Sequence, residues 1–269
     1  MTMRGSIFWG SVLIVMGGLF LLDNFGELPV PAWTLFWPLA LIGLGALTLY
    51  GVMRRNVRRE MAPAEIPLAG AARARVRVHH GAGVLRVHAG ANPGMLASGT
   101  FAGGLAPTTR REGDLLVADL KPDTDMVAVM TPWIWGPGGA YDWDLALTDT
   151  VPLDLGFETG ASESHIDLSG VKLSSLSLKT GASSTVLTLP AKPVGTCPVR
   201  IEGGATSIEV TVPAGVEAFV RSESGLADVQ VNRARFLPVP GGHQTAGYAG
   251  ATDRLEIKVS MGLGAFKLS

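Results

Sequence analysis

The chain has 269 residues, a formal net charge of −1 and a single cysteine, Cys197. That balance removes the electrostatic case for nucleic acid as a partner, and one thiol excludes an intramolecular disulfide framework or a cysteine-based zinc site. Gly and Pro make up about a fifth of the residues, short of a disordered composition, while 17% charged residues and a mean hydropathy of +0.30 point to a part that avoids water.

Residues 5–22 carry no charge, and neither do residues 28–53. About 20 apolar residues in a helix cross a ~30 Å hydrocarbon core, so both stretches read as membrane spans. Leu22 is followed by DNFGELPVP. This is turn chemistry without a small-x-small cleavage site, which predicts a helical hairpin over 1–53 rather than a signal peptide. Trp9, Trp33 and Trp37 fall at interfacial depths, where an aromatic ring can be half wet. Arg54, Arg55, Arg58 and Arg59 follow the second span, Arg4 precedes the first, and the connecting loop has no Lys or Arg. The positive-inside rule then predicts a multi-pass cell-membrane protein with both termini, and hence the C-terminal part, in the cytoplasm. The arginine-rich linker over 54–61 also suits anionic lipid headgroups.

From residue 62 the texture changes to short runs of period-2 alternation bounded by Gly, Pro, Ser and Thr. Six segments repeat one template, in which apolar-x-apolar leads to a glycine and a second apolar-x-apolar follows. They are VRVHHGAGVLRV, LGFETGASESHIDL, LSLKTGASSTVLTL, VRIEGGATSIEVTV, VRSESGLADVQV and IKVSMGLGAFKL, with anchors at Gly81, Gly160, Gly181, Gly204, Gly225 and Gly262. Five and three residues before each anchor lie Val76/Val78, Leu155/Phe157, Leu176/Leu178, Val199/Ile201, Val220/Ser222 and Ile257/Val259. Six residues after it lie Val87, Ile166, Leu187, Val210, Val231 and Leu268. The expected unit is strand, tight glycine turn, strand. A strand pair alone is marginal in water, so units must bury their apolar faces on one another. The predicted fold is mainly β: the membrane hairpin followed by a β-solenoid-like repeat domain over 62–269, with a β-sandwich as the alternative. Two stretches break the pattern. Residues 91–150 include Trp133, Trp135, Tyr141 and Trp143 around a PGG sequence, and residues 232–252 form a Gly/Pro-rich excursion. The aromatic cluster either caps the stack or docks a partner, since Trp and Tyr dominate interface hot spots.

GSIFWGSVLIVMGGLFLLDNFG and FWPLALIGLGAL resemble the membrane region of LiaF-like proteins of the bacterial cell-envelope stress response. WDLALTDTVPLDLGFETGASESHIDLSGVKLSSLSLKTGASSTVLTLP resembles the toast-rack, or adhesin-type, β-repeat domain. The resemblance implies a membrane-bound regulator that restrains a sensor histidine kinase, with the bilayer, a membrane signalling protein and further copies of the chain as partners. A self-assembling or adhesin-like scaffold is the alternative. It implies no catalytic residues.

The residues themselves make no case for an enzyme. Ser169 to Lys172 spells SxxK and Lys179 to Gly181 spells KTG, yet both sit within adjacent repeats rather than on the helix and distant strand such enzymes require. Ser164 should point away from His165 and Asp167 on a strand, and His79 and His80 face opposite ways, which defeats a triad and a metal site with His88. Gly81-x-Gly83 lacks the third glycine of a dinucleotide fingerprint. No cofactor is expected.

Overall fold

The computed structural model describes residues 61–123 and 142–269 together with Pro38, Leu41 and Gly45. Among these residues no helix is long and apolar enough to cross a membrane; the expected spans, and Arg54, Arg55, Arg58 and Arg59, lie outside them except for those three positions. The strands belong to one of two compact units into which the chain divides, Val57–Thr131 with Gly139–Ser269.

The strands are β1 (Met61–Pro67), β2 (Arg73–Ala89), β3 (Met95–Ala102), β4 (Leu105–Glu112), β5 (Leu115–Pro122), β6 (Trp143–Leu147), β7 (Leu153–Asp167), β8 (Leu173–Thr188), β9 (Thr196–Thr211), β10 (Glu217–Val231), β11 (Leu237–Val239), β12 (Gly242–Gln244) and β13 (Arg254–Leu268). The first strand begins at Met61, one residue inside the linker expected over 54–61. Six of these strands are long, and each contains one of the six repeats. They lie parallel in the spatial order β2-β7-β8-β9-β13-β10. The hairpins expected from the repeats are absent among them. Each repeat is one continuous strand whose two arms meet at its anchor glycine.

The register follows the template. Val76 pairs Leu155, Leu155 pairs Leu176, Leu176 pairs Val199, Val199 pairs Ile257 and Ile257 pairs Val220. Beyond the glycine, Val87, Ile166, Leu187, Val210, Leu268 and Val231 form a second ladder. A one-residue slip would turn every such side chain to water, so burial pins the register.

The inward parity slips once per strand. On β7, Leu153, Leu155, Phe157 and Thr159 are buried before the glycine, and Ser162, Ser164 and Ile166 after it, while Gly160 and Ala161 are both exposed. That slip is a corner: the strand folds over, and both arms turn their apolar faces to one core. A Cβ at Gly203 would lie 2.4 Å from Thr206 Cγ2 and 3.5 Å from Ile208 Cδ1, so the two arms of β9 converge just inside the corner. Parallel sheets normally need cover on both faces. Here each strand covers itself, and a solenoid-like stack results rather than an antiparallel sandwich.

The anchor glycines do not sit there for a left-handed backbone, since none of the six has a positive φ. They sit there because neighbouring strands approach closely. A Cβ on Gly181, Gly204, Gly262 or Gly225 would come within 3.0–3.1 Å of the carbonyl oxygen of the preceding glycine in the stack, and one on Gly160 within 2.4 Å of the Gly81 oxygen.

At the β2 end the two arms separate. The first arm pairs with β5, which pairs with β4; the second pairs with β6, followed by β3 and β1. At the other end β12 and β11 continue the first arm of β10. The excursion over 232–252 supplies these two strands and inserts Phe236 into the core. Arg235 lies over the Phe236 ring, and its guanidinium donates to the carbonyls of Val212, Pro213 and Val216.

Candidate interaction surface

Residues at odd offsets before the glycine face the core, so those at even offsets must face water. Two before the anchor this outer row reads His79, Glu158, Lys179, Glu202, Ser260 and Glu223 in spatial order. Charges of opposite sign meet across strands, with Lys179 Nζ 3.8 Å from Glu202 and Lys258 Nζ 3.2 Å from Glu223, and His79 Nδ1 lies 3.0 Å from the Glu158 carboxylate. Six before the anchor Arg75 lies 2.5 Å from Asp154, and five after it Lys267 lies 2.7 Å from Glu209. Exposed pairs of this kind contribute about 0.2–1 kcal/mol each. Their greater effect is on which strands become neighbours, because like charges placed opposite one another repel. This row was legible in the repeat alignment by reading across at fixed offset, but composition and motif searches pass over it.

Along the corners runs an open groove of about 1300 Å³, lined by the anchor glycines Gly81, Gly160, Gly181, Gly204 and Gly262 and by His79, Glu158, Lys179, Glu202 and Lys258. Just inside the corner the stack is polar. Thr159 Oγ1 donates to Thr180 Oγ1 at 3.0 Å, Ser183 and Thr206 hydroxyls lie 3.0 Å apart, and Thr206 Oγ1 donates to the Ser183 carbonyl at 2.8 Å. Their hydroxyls satisfy one another on burial, and the position just before the anchor, threonine on β7 and β8, is a buried His80 on β2 and a buried Met261 on β13.

Trp143 is not on an exposed loop. It opens β6, pairs with Leu85, and is fully buried, with its ring edge-on to Phe101 at 5.2 Å and to His80 at 5.5 Å. It therefore leaves the group of partner-binding candidates. Trp133, Trp135 and Tyr141 lie outside the described residues. Ser164 is buried while His165 and Asp167 are exposed, with His165 Nε2 2.9 Å from Glu163. His79 and His80 do face opposite ways, and no cluster of three metal-ligating side chains occurs among the described residues. Lys179 pairs with Glu202, and Lys172 donates to the Thr150 carbonyl. Cys197 is buried, and desolvation pushes its thiol up to about 12.

His88 ties β2 to β6. Its Nδ1 lies 2.7 Å from the Ala89 carbonyl and its Nε2 3.0 Å from Asp144. The Ala89 carbonyl raises its pKa most; burial, next in size, lowers it; and the hydrogen bond and charge of Asp144, with the charge of Asp167, raise it again, so that it lies above 6.5. With the folded value raised, the stabilisation is complete below the unfolded value and fades as pH rises through the folded one. An NMR titration should place the His88 midpoint above 6.5 and show it lower in Asp144→Asn. An unchanged midpoint in that variant would remove Asp144 as a cause.

The family described as "N-terminal domain of toast_rack, DUF2154" matches residues 55–211. The chain belongs to the toast-rack family. Its match ends at the last residue of β9, and β13 and β10 continue the toast-rack stack beyond it. The LiaI-LiaF-like transmembrane region matches residues 7–49, so this toast-rack protein is a membrane protein. A "putative cell adhesion protein" from Clostridium sporogenes has the same fold, with a TM-score of 0.70 at 17% identity over 78% of this chain and 98% of that one. A "putative adhesin" from Bacteroides fragilis aligns with a TM-score of only 0.31 at 7% identity, over the same shares of the two chains. No curated protein matches the chain.

Proposed function

We propose that this toast-rack protein is a membrane-anchored, non-enzymatic regulator of the cell-envelope stress response that acts by contact with a membrane signalling protein such as a sensor histidine kinase. The observation carrying this reading is the pairing, in one chain, of a LiaI-LiaF-like transmembrane region over 7–49 with a toast-rack domain from residue 55. The anchor is a two-span hairpin over 5–22 and 28–53. Its arginines, Arg54, Arg55, Arg58 and Arg59, hold the β domain on the cytoplasmic side by the positive-inside rule. Trp133, Trp135 and Tyr141 supply the partner-facing aromatics, since such side chains dominate hot spots. The structural neighbour named for cell adhesion is alike in fold alone, and a scaffold role would require self-assembly into filaments.

Photo-crosslinking residues placed at 133 and 135 of the full-length protein, in its native membrane, test the reading. The expected adduct is with a sensor kinase in unstressed cells and fades after cell-wall damage. Adducts confined to other copies of the chain would favour the scaffold, and no adduct would overturn the contact. In a Cys197→Ser background, a cysteine in the 23–31 loop should react with an impermeant maleimide in intact cells and one at residue 62 should not. The reverse pattern would place the domain outside.

A further inference from the structure

The stack has two ends and each strand two arms, which makes four sheet margins. Three are extended by further strands, ending at β4, β1 and β11. Each of those last strands carries proline: Pro107 in β4, Pro63 and Pro67 in β1, and Pro238 in β11. Proline on an edge strand blocks further pairing. The fourth margin is the second arm of β10, residues 226–231, which reads Leu-Ala-Asp-Val-Gln-Val and has no proline. Among the described residues its one neighbour is β13. Ala227, Val229 and Val231 point inward and pack on the core but are only partly buried, and Leu226 is 81% exposed.

Which backbone groups are free follows from alternation. Asn232 N donates to the Leu268 carbonyl on β13 at 3.0 Å. Along a strand these groups alternate in direction, so Ala227, Val229 and Val231 aim both N–H and C=O away from β13, at the bare margin. The residues whose side chains extend the core are therefore those whose backbones await a strand.

We propose that this margin pairs with the same arm of a second copy, antiparallel about a two-fold axis at Val229. In that register Val229 opposes Val229 and Ala227 opposes Val231, so every outward-aimed backbone group finds a partner and the inward apolar row runs unbroken into the second core. On the outer face Asp228 opposes Gln230, a carboxylate–amide pair; within the chain Gln230 Nε2 already donates to Asp228 at 2.8 Å. Two rival registers lie two away in residue sum: one sets Asp228 against Asp228 and is disfavoured by like charge, and the other sets Gln230 against Gln230 and leaves Ala227 opposite Arg233, beyond the end of β10. A self-complementary patch closed by a two-fold axis is the commonest form of homodimer. Confinement of both copies to one membrane raises their effective concentration enough for a short interface to matter. The pairing does not depend on which protein the signalling partner is.

The test uses the full-length protein in nanodiscs on a Cys197→Ser background. Asp228→Cys and Gln230→Cys chains are prepared singly and mixed, then treated with a mild oxidant. Opposed residues of a non-hydrogen-bonded antiparallel pair have Cα atoms about 4.5 Å apart, within disulfide reach, whereas Asp228 to Asp228 across the diagonal is about 7–8 Å. Disulfide dimers are expected in the mixture and not from either variant alone. Val229→Pro removes an N–H that no strand of its own chain uses. It should keep the wild-type circular dichroism melt while weakening dimerisation at least tenfold. Cross-linking of Asp228→Cys alone or of Gln230→Cys alone, no cross-link in the mixture, or an undiminished dimer in Val229→Pro would each overturn the proposal. Should Val229→Pro fail to fold, the mixed cross-link decides by itself.

Discussion

Gly160→Ala is expected to destabilise the β domain by about 1–3 kcal/mol, the range for overpacking a filled site, and Gly160→Val by more. The new Cβ would sit 2.4 Å from the Gly81 carbonyl oxygen, a backbone atom fixed in the β2–β7 ladder, so relief requires moving a strand. Gly181→Ala meets the corresponding Gly160 oxygen at 3.1 Å, where a shift of a few tenths of an ångström suffices. Its cost should stay within about 1 kcal/mol, the ordinary size of a single-site effect. Chemical denaturation of the full-length variants in detergent, followed by the β signal in circular dichroism, compares them directly. Equal midpoints for Gly160→Ala and Gly181→Ala would show that carbonyl approach does not set the requirement for glycine.

Trp143→Ala should cost about 3–5 kcal/mol, as removal of a buried aromatic does elsewhere. The ring is fully buried between Phe101 and His80, and it joins the short strand β6 to the second arm of β2. A loss of this size is comparable with much of the net stability of a domain, so steady-state abundance in cells should fall with it. Binding to any partner should decline only in proportion to the folded fraction, which separates Trp143 from the aromatics at 133, 135 and 141. A Trp143→Ala protein with an unchanged melt and lost partner binding would return this residue to the recognition surface.

The residue pattern was enough to place the core ladders. Leu155, Phe157 and Ile166, with their counterparts at the same offsets, could satisfy period-2 burial in one register only, and the structure pairs them in that register. The outer face was equally accessible, because Ser164, His165 and Asp167 take the sides that alternation dictates. The role of the glycines was not. A glycine between two apolar-x-apolar runs is compatible with a hairpin turn or with a corner in one strand. What separates them is a carbonyl oxygen contributed by a strand 21 to 79 residues away, as Gly160–Gly181 and Gly81–Gly160 show.

Strand order was likewise decided in three dimensions. Chain order would set β10 against β9, placing Glu223 beside Glu202 and leaving the apolar β13 at the margin. In the fold β13 enters between them, with Ser260 separating the two glutamates and Lys267 paired to Glu209. It brings Ile257, Val259, Met261, Phe266 and Leu268 into the buried interior, and β10, whose equivalent of Val259 is Ser222, takes the end of the stack. Local pattern determines which side of a strand is apolar. Which strand lies innermost depends on competition among all the faces for burial and for opposite charge, and that is settled only when the whole stack assembles.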